Sequence, residues 1–217
     1  MLEELRIQVA EATMAMWKDG LVKGAQGNVS GRDPETGHVA ITPSHVPYAE
    51  LTAEDIGVLT TDGEQIWGKH KPSSETPMHT YLYRQREALG AIMHTHSEYA
   101  LAASVVGRSI PPITLDIAFH IGSQIVAVDF VEPGTEELGI RVHEAMKAAD
   151  ARAALLANHG ALALGNTVKG ALEAARALEH GARVLMRAVV FGEPKPIPPE
   201  YVERFHRFWQ ERQVGAG

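Results

Sequence analysis

The amino-acid sequence predicts a single α/β domain, and three observations carry that prediction. Its 217 residues suit one domain with a sizeable core. Apolar runs of strand character, such as residues 91–93 and 155–157, are separated by segments whose apolar residues recur at steps of three and four. No internal repeat, low-complexity tract or long Gly/Ser linker divides the chain.

Composition excludes several function classes. A formal net charge of -7, with no run of Lys or Arg, argues against a nucleic-acid partner. No apolar stretch reaches membrane-spanning length, and Met1-Leu2-Glu3-Glu4 lacks the basic start of a secretion signal, so no membrane association and a cytoplasmic location are expected. The absence of cysteine excludes disulfides, thiolate nucleophiles and sulfur-ligated metals together. A bound metal must then be held by nitrogen and oxygen.

Taken in order, Leu2, Leu5, Val9, Ala12 and Met16 mark one apolar face of an opening helix that ends near Gly20 to Gly24. The small-residue stretch Gly24-Ala25-Gln26-Gly27-Asn28-Val29-Ser30-Gly31-Arg32 reads either as a tight turn feeding a strand or as a loop approaching an anion, with Asn28 and backbone amides as donors. His38 to Ile41 is a short strand, and Thr42-Pro43-Ser44-His45-Val46-Pro47-Tyr48 is a loop stiffened by two prolines. Leu51 to Ile56 suggests a brief helical turn capped by Thr52, and residues 58–60 and 65–67 flank Asp62-Gly63 as a hairpin. Ser73 or Ser74 suits an N-cap, with Pro77 early in a helix that continues through Tyr81-Leu82-Tyr83-Arg84. Ser123 to Val131 alternates like a strand before Glu132-Pro133-Gly134, and Thr135 to Ala149 and Thr167 to Val190 have helical spacing. Prolines 194, 196, 198 and 199 break the latter, and Tyr201 to Gln213 forms a last amphipathic segment, fit for a subunit contact or a flap.

Three stretches carry chemistry. Ala91-Ile92-Met93-His94-Thr95-His96 is an apolar strand that delivers two imidazoles to one face, since side chains alternate along a strand. A catalytic zinc site usually takes three protein ligands, and the candidate third is His159 in Leu155-Leu156-Ala157-Asn158-His159-Gly160, where Gly160 lets the chain turn sharply. Most histidines bind nothing, and this chain has 11. The case rests on two separate strands ending in histidine, together with the acidic turn Ser73-Ser74-Glu75 upstream. A carboxylate at a helix start is expected from the macrodipole alone. Here two hydroxyls and free amides accompany it, which is equipment for binding a phosphate and moving a proton beside a metal.

Gly27-Asn28-Val29-Ser30, Ile41-Thr42-Pro43-Ser44, Val46-Pro47-Tyr48, Pro72-Ser73-Ser74-Glu75, His94-Thr95-His96 and Asn158-His159-Gly160 together resemble the class II aldolase/epimerase family, in the family's order and over nearly the whole chain. The resemblance implies a three-layer α/β/α fold with a central, mostly antiparallel mixed sheet. It implies a homotetramer with active sites between subunits, and a divalent cation, zinc foremost, held by His94, His96 and His159. Imidazole and carboxylate also accept Mn2+, Co2+ or Fe2+. Glu75 is implied as a resting-state ligand and the catalytic base, and Asn28, Ser44, Ser73 and Ser74 as a phosphate pocket joined by His45, where the fuculose phosphate branch has Gly. Glu after the two serines resembles the aldolase branch, whereas the epimerase branch has Asp. The implied reaction is retro-aldol cleavage of a ketose phosphate to a dihydroxyacetone phosphate-type fragment and an aldehyde through a metal-stabilised enediolate.

Two tyrosines of the fuculose phosphate branch are replaced, by Leu115 and in the region of Phe208-Trp209. Neither replacement donates a phenolic proton, so Asp116, His120 and His206 become candidates for another acid. The same chemistry would serve a decarboxylase of a hydroxy or oxo acid, the runner-up reading. A 4-epimerase and a catalytically silent metal-binding interaction protein follow.

Overall fold

The computed structural model describes residues 1–214, the side chains of 212–214 excepted. Eight strands form one sheet: β1 (Asn28–Arg32), β2 (Val39–Ile41), β3 (Gly57–Leu59), β4 (Gln65–Trp67), β5 (Ala91–Thr95), β6 (Val126–Val128), β7 (Ala153–Leu156) and β8 (Gly160–Gly165). Their spatial order is β4-β3-β2-β1-β5-β8-β7-β6, and every pairing is antiparallel except β6 with β7. The α-helices among the described residues are α1 (Glu3–Lys18), α2 (Thr76–Gln85), α3 (Glu98–Val106), α4 (Glu136–Ala148), α5 (Val168–Ala188) and α6 (Pro199–Val214). None of the described helices is long and apolar enough to cross a membrane.

The two faces of the sheet bury two different cores, which makes the three layers. On one face Val29, Ala91, Met93, Leu155, Ala161 and Ala163 meet Val9 and Met16 of α1 and Ala171, Ala174, Ala175 and Leu178 of α5. On the other, Val39, Ile92, Ala154, Leu156, Leu162 and Leu164 meet Met78 and Leu82 of α2 and Leu138, Val142 and Met146 of α4. Strand residues therefore alternate strictly between the layers, and burying each large aliphatic side chain contributes about 2 kcal/mol. The alanine rows of β8 and α5 bring their backbones close, so α5 lies tightly on the sheet. Thr167 caps α5 by accepting from the Gly170 N–H at 3.0 Å, and Thr135 caps α4 through the Leu138 N–H.

Three elements are absent from the sequence reading. β8 follows Gly160 directly, and its Ala-Leu-Ala-Leu run alternates small with large rather than polar with apolar, because both faces are buried. α3 has no local cap: Ser97 makes no side-chain capping bond, and the N–H groups of Tyr99 and Ala100 instead donate to the Glu179 carboxylate of α5 at 3.0 and 2.9 Å. A π-helical turn spans Ile117–Ile121 and is closed by Gly122 at φ 76°. At α2 the cap position belongs to Glu75, not to Ser73 or Ser74, and Pro77 is the second helical residue. Thr52 does not start a helix; its N–H and hydroxyl donate to Asp55 within a turn.

Candidate active site

His94 is the last residue but one of β5 and His96 lies just beyond the strand, both on the α2 side of the sheet, since Ile92 of the same parity belongs to that core. His159 enters from the turn between β7 and β8. Because β5 pairs with β8, Thr95 stands opposite Ala161 and the two distant segments meet. One ligand atom from each of the three histidines lies within 4.8 Å of the others. Nitrogens around one zinc at ordinary bond lengths stand about 3.4 Å apart, so the three rings would have to draw together to hold one ion, with a further position left open.

The tautomers fit that purpose. His94 Nδ1 lies 3.0 Å from the Ala161 carbonyl, which can only accept, so Nδ1 carries the proton and Nε2 keeps its lone pair. That Nε2 lies 3.0 Å from His96 Nε2. Burial, then the neighbouring His159 and His96, holds His94 well below the usual imidazole range; burial also lowers His96 and, helped by His96, pulls His159 down to about 4. All three rings are therefore neutral at neutral pH, the form that ligates metal.

Two glycines make the approach possible. A Cβ on Gly160 would stand 2.3 Å from the Thr95 carbonyl oxygen and 3.2 and 3.3 Å from the rings of His94 and His96. The sharp turn expected of Gly160 is in fact made by Asn158, at φ 57°. Gly160 is there for space. Gly27 does the same on the other side, where a Cβ would meet the His94 carbonyl oxygen at 2.4 Å. The Tyr48 hydroxyl donates to the Gly27 carbonyl at 2.6 Å and pins that loop.

Glu75 is buried beside the histidines. Burial raises its carboxyl, and a hydrogen bond from the Gly134 N–H opposes the shift; its Oε2 has no hydrogen-bond partner among the described residues. Asn28 stands opposite His94 on β1, with its buried Oδ1 likewise unpartnered. Ser44 donates to the Pro72 carbonyl at 2.9 Å, and Ser73 accepts from the Glu75 N–H at 3.2 Å. His45 is exposed and held at φ 62°, a left-handed conformation that glycine adopts more cheaply. Asn28, Ser44, His45, Ser73, Ser74, Glu75, His94, His96 and His159 all line one cavity of about 190 Å³.

Asp116, His120 and His206 are not among its lining residues. His206 Nδ1 donates to the Phe119 carbonyl at 2.9 Å, and the His120 ring meets Trp209 edge-on at 4.4 Å. A larger cavity of about 790 Å³ lies between Pro112, Ile197 and α6, but the histidine cluster is not part of it. Gly134 and the Ala161 carbonyl were not singled out from the sequence. The turn Glu132-Pro133-Gly134 was legible as a turn, but backbone groups leave no residue signature of their role.

Residues 7–186 match the family described as Class II Aldolase and Adducin N-terminal domain. The chain is 38% identical over 203 residues to a 5-deoxy-D-ribulose 1-phosphate aldolase of Bacillus thuringiensis serovar kurstaki, covering 94% of each protein. It is 34% identical to a 5-methylthioribulose-1-phosphate/5-deoxyribulose-1-phosphate aldolase of Rhodospirillum rubrum, over 92% of this chain and 88% of that one. A solved L-fuculose 1-phosphate aldolase superposes with a TM-score of 0.88 at 31% identity, covering 95% of this chain and 96% of the other. The chain belongs to the class II aldolase family, as an enzyme of the carbon–carbon lyase type.

Proposed function

We propose that the protein, as one folded domain, cleaves a ketose 1-phosphate between C3 and C4 into dihydroxyacetone phosphate and an aldehyde. The C4 hydroxyl gives up its proton, the C3–C4 electron pair passes to the C2–C3 enediolate, the aldehyde leaves, and C3 takes a proton. In this reading His94, His96 and His159 hold a divalent cation, with Glu75 as a further ligand until substrate arrives. When bound, the cation, zinc foremost with manganese, cobalt or iron as alternatives, supplies Lewis-acid stabilisation of negative charge on substrate oxygens. Glu75 exchanges the proton at C3; its raised pKa, caused by burial, suits a group that both takes and returns a proton. Ser73, Ser74, Asn28, Ser44 and His45 receive the phosphate, for which the Ser44 hydroxyl turns away from Pro72.

The observation that carries this reading is the burial of one carboxylate in the cavity where three neutral imidazoles converge. The two relatives acting on 5-deoxyribulose 1-phosphate support that compound as first substrate, ahead of L-fuculose 1-phosphate. Glu75 apart, no carboxylate or phenol lines the cavity among the described residues. In this reading the protein is a cytoplasmic homotetramer, and a neighbouring subunit supplies the acid that Asp116, His120 and His206, outside the cavity, do not.

The test is incubation of zinc-loaded protein with both ketose phosphates. Equimolar dihydroxyacetone phosphate and aldehyde are expected. Carbon dioxide release from a hydroxy acid, without cleavage of either sugar, would transfer the reading to the decarboxylase, which the loss of both phenols at Leu115 and Phe208-Trp209 favours.

A further inference from the structure

A polar seam crosses the apolar layer between α2 and the sheet. Glu75, His79 and Tyr83 recur every fourth residue along α2, and Asn28 and Ser30 face them from β1. His79 is fully buried, with its Nδ1 2.7 Å from Ser30 Oγ, which in turn lies 2.8 Å from the Tyr83 hydroxyl. At the site end of the seam, His79 Nε2, Glu75 Oε2 and Asn28 Oδ1 are buried without a hydrogen-bond partner among the described residues.

Burial pulls His79 down to about 3, so the ring is neutral, with one nitrogen donating and the other accepting. Of the three unpartnered atoms, an ionised carboxylate oxygen and an amide oxygen can only accept. His79 Nε2 donates when Tyr83 donates to Ser30 and Ser30 donates to Nδ1. Glu75 caps α2 four residues before His79, the spacing at which helix side chains are neighbours, so a rotation of the carboxylate brings it toward the ring.

We infer that His79 is a positioning residue: the Tyr83–Ser30 pair fixes the tautomer that carries its proton on Nε2, and that N–H orients the Glu75 carboxylate. The inference rests on the aldolase reading. Held by the Gly134 N–H, and closed onto His79 Nε2 so that both unpartnered atoms are satisfied, the carboxylate would present a fixed lone pair to C3.

Zinc-loaded His79→Leu, His79→Gln and Ser30→Ala proteins test it against the wild type. The readouts are zinc content, KM and kcat on 5-deoxy-D-ribulose 1-phosphate, and deuterium exchange at C3 of dihydroxyacetone phosphate, a half-reaction that breaks no carbon–carbon bond. His79→Leu should lower kcat and exchange together by about 100-fold, with zinc content and KM unchanged within about twofold. His79→Gln, whose amide nitrogen reaches where Nε2 stands, should stay within about tenfold of wild type, and Ser30→Ala should lose about tenfold in both rates. Equal loss in the Gln and Leu variants, a loss explained by missing zinc, or wild-type exchange in Ser30→Ala would overturn the role. Should His79→Leu fail to fold, the Ser30→Ala and His79→Gln results decide alone. Wild-type protein that neither cleaves nor exchanges refutes the aldolase reading and this inference with it; active wild type with unchanged variants refutes the inference only.

Discussion

Gly160→Ala isolates the closest approach in the site. The added methyl would stand 2.3 Å from the Thr95 carbonyl oxygen, and that atom is backbone, so no rotamer change relieves the clash. Restoring ordinary contact requires the strands to part by roughly 1 Å. Thr95 lies between His94 and His96, so the shift displaces both of the proposed ligands, whereas a zinc shell tolerates only about 0.2 Å. Overpacking of this kind costs about 2 kcal/mol of stability, and ligand misplacement should weaken zinc binding by about 100-fold. Competition with a chromophoric chelator measures the second quantity and urea unfolding of the zinc-free protein the first. Gly57→Ala serves as the control, because its Cβ would meet nothing closer than 3.8 Å and its backbone is unstrained. Wild-type zinc affinity in Gly160→Ala, or equal effects in the two variants, would refute the argument from close approach.

His94→Ala should lose bound zinc and cleavage together, and full zinc stoichiometry in that variant would place the metal elsewhere. Chelation of the wild type should lower its melting temperature, with zinc at about 1,000 times its Kd restoring about 4 kcal/mol, as differential scanning calorimetry can show. His45→Gly should stabilise the fold by about 0.5 kcal/mol, the net of relieved left-handed strain and added chain freedom, while raising KM for the ketose phosphate; an unchanged KM removes His45 from the substrate contacts. Burial raises the Asp55 carboxyl, but hydrogen bonds from Thr52, Lys69 and His70 outweigh it and hold the group well below the usual range. Its contribution is thus present above about pH 4 and fades as pH falls toward the folded pKa. Asp55→Asn should cost about 2 kcal/mol near neutral pH and progressively less below about pH 4, which urea unfolding across that range would check.

The elements that sequence alone discloses are those whose cause is local. His94, His96 and Glu75 stand in short patterns beside a strand end and a helix start, and α5 announces itself by Thr167 and its apolar stripe. α3 stayed hidden because its first N–H groups are satisfied by Glu179, far along the chain. Likewise β8 carries no alternation of polarity, and the constraint on Gly160 exists only once β5 lies against it. Asn28 was legible as a donor, but its place opposite His94 follows from strand pairing that no residue pattern near it encodes.

The antiparallel pairing of β5 with β8 at the middle of the sheet orders events during synthesis. A nascent chain emerging from the ribosome carries His94, His96 and Glu75 long before His159, and joining them closes a loop spanning α3, α4 and two strands. Until β8 has cleared the exit tunnel a cation would find only two of the three imidazoles, so on the proposed ligand set tight binding would wait for the pairing of β5 with β8.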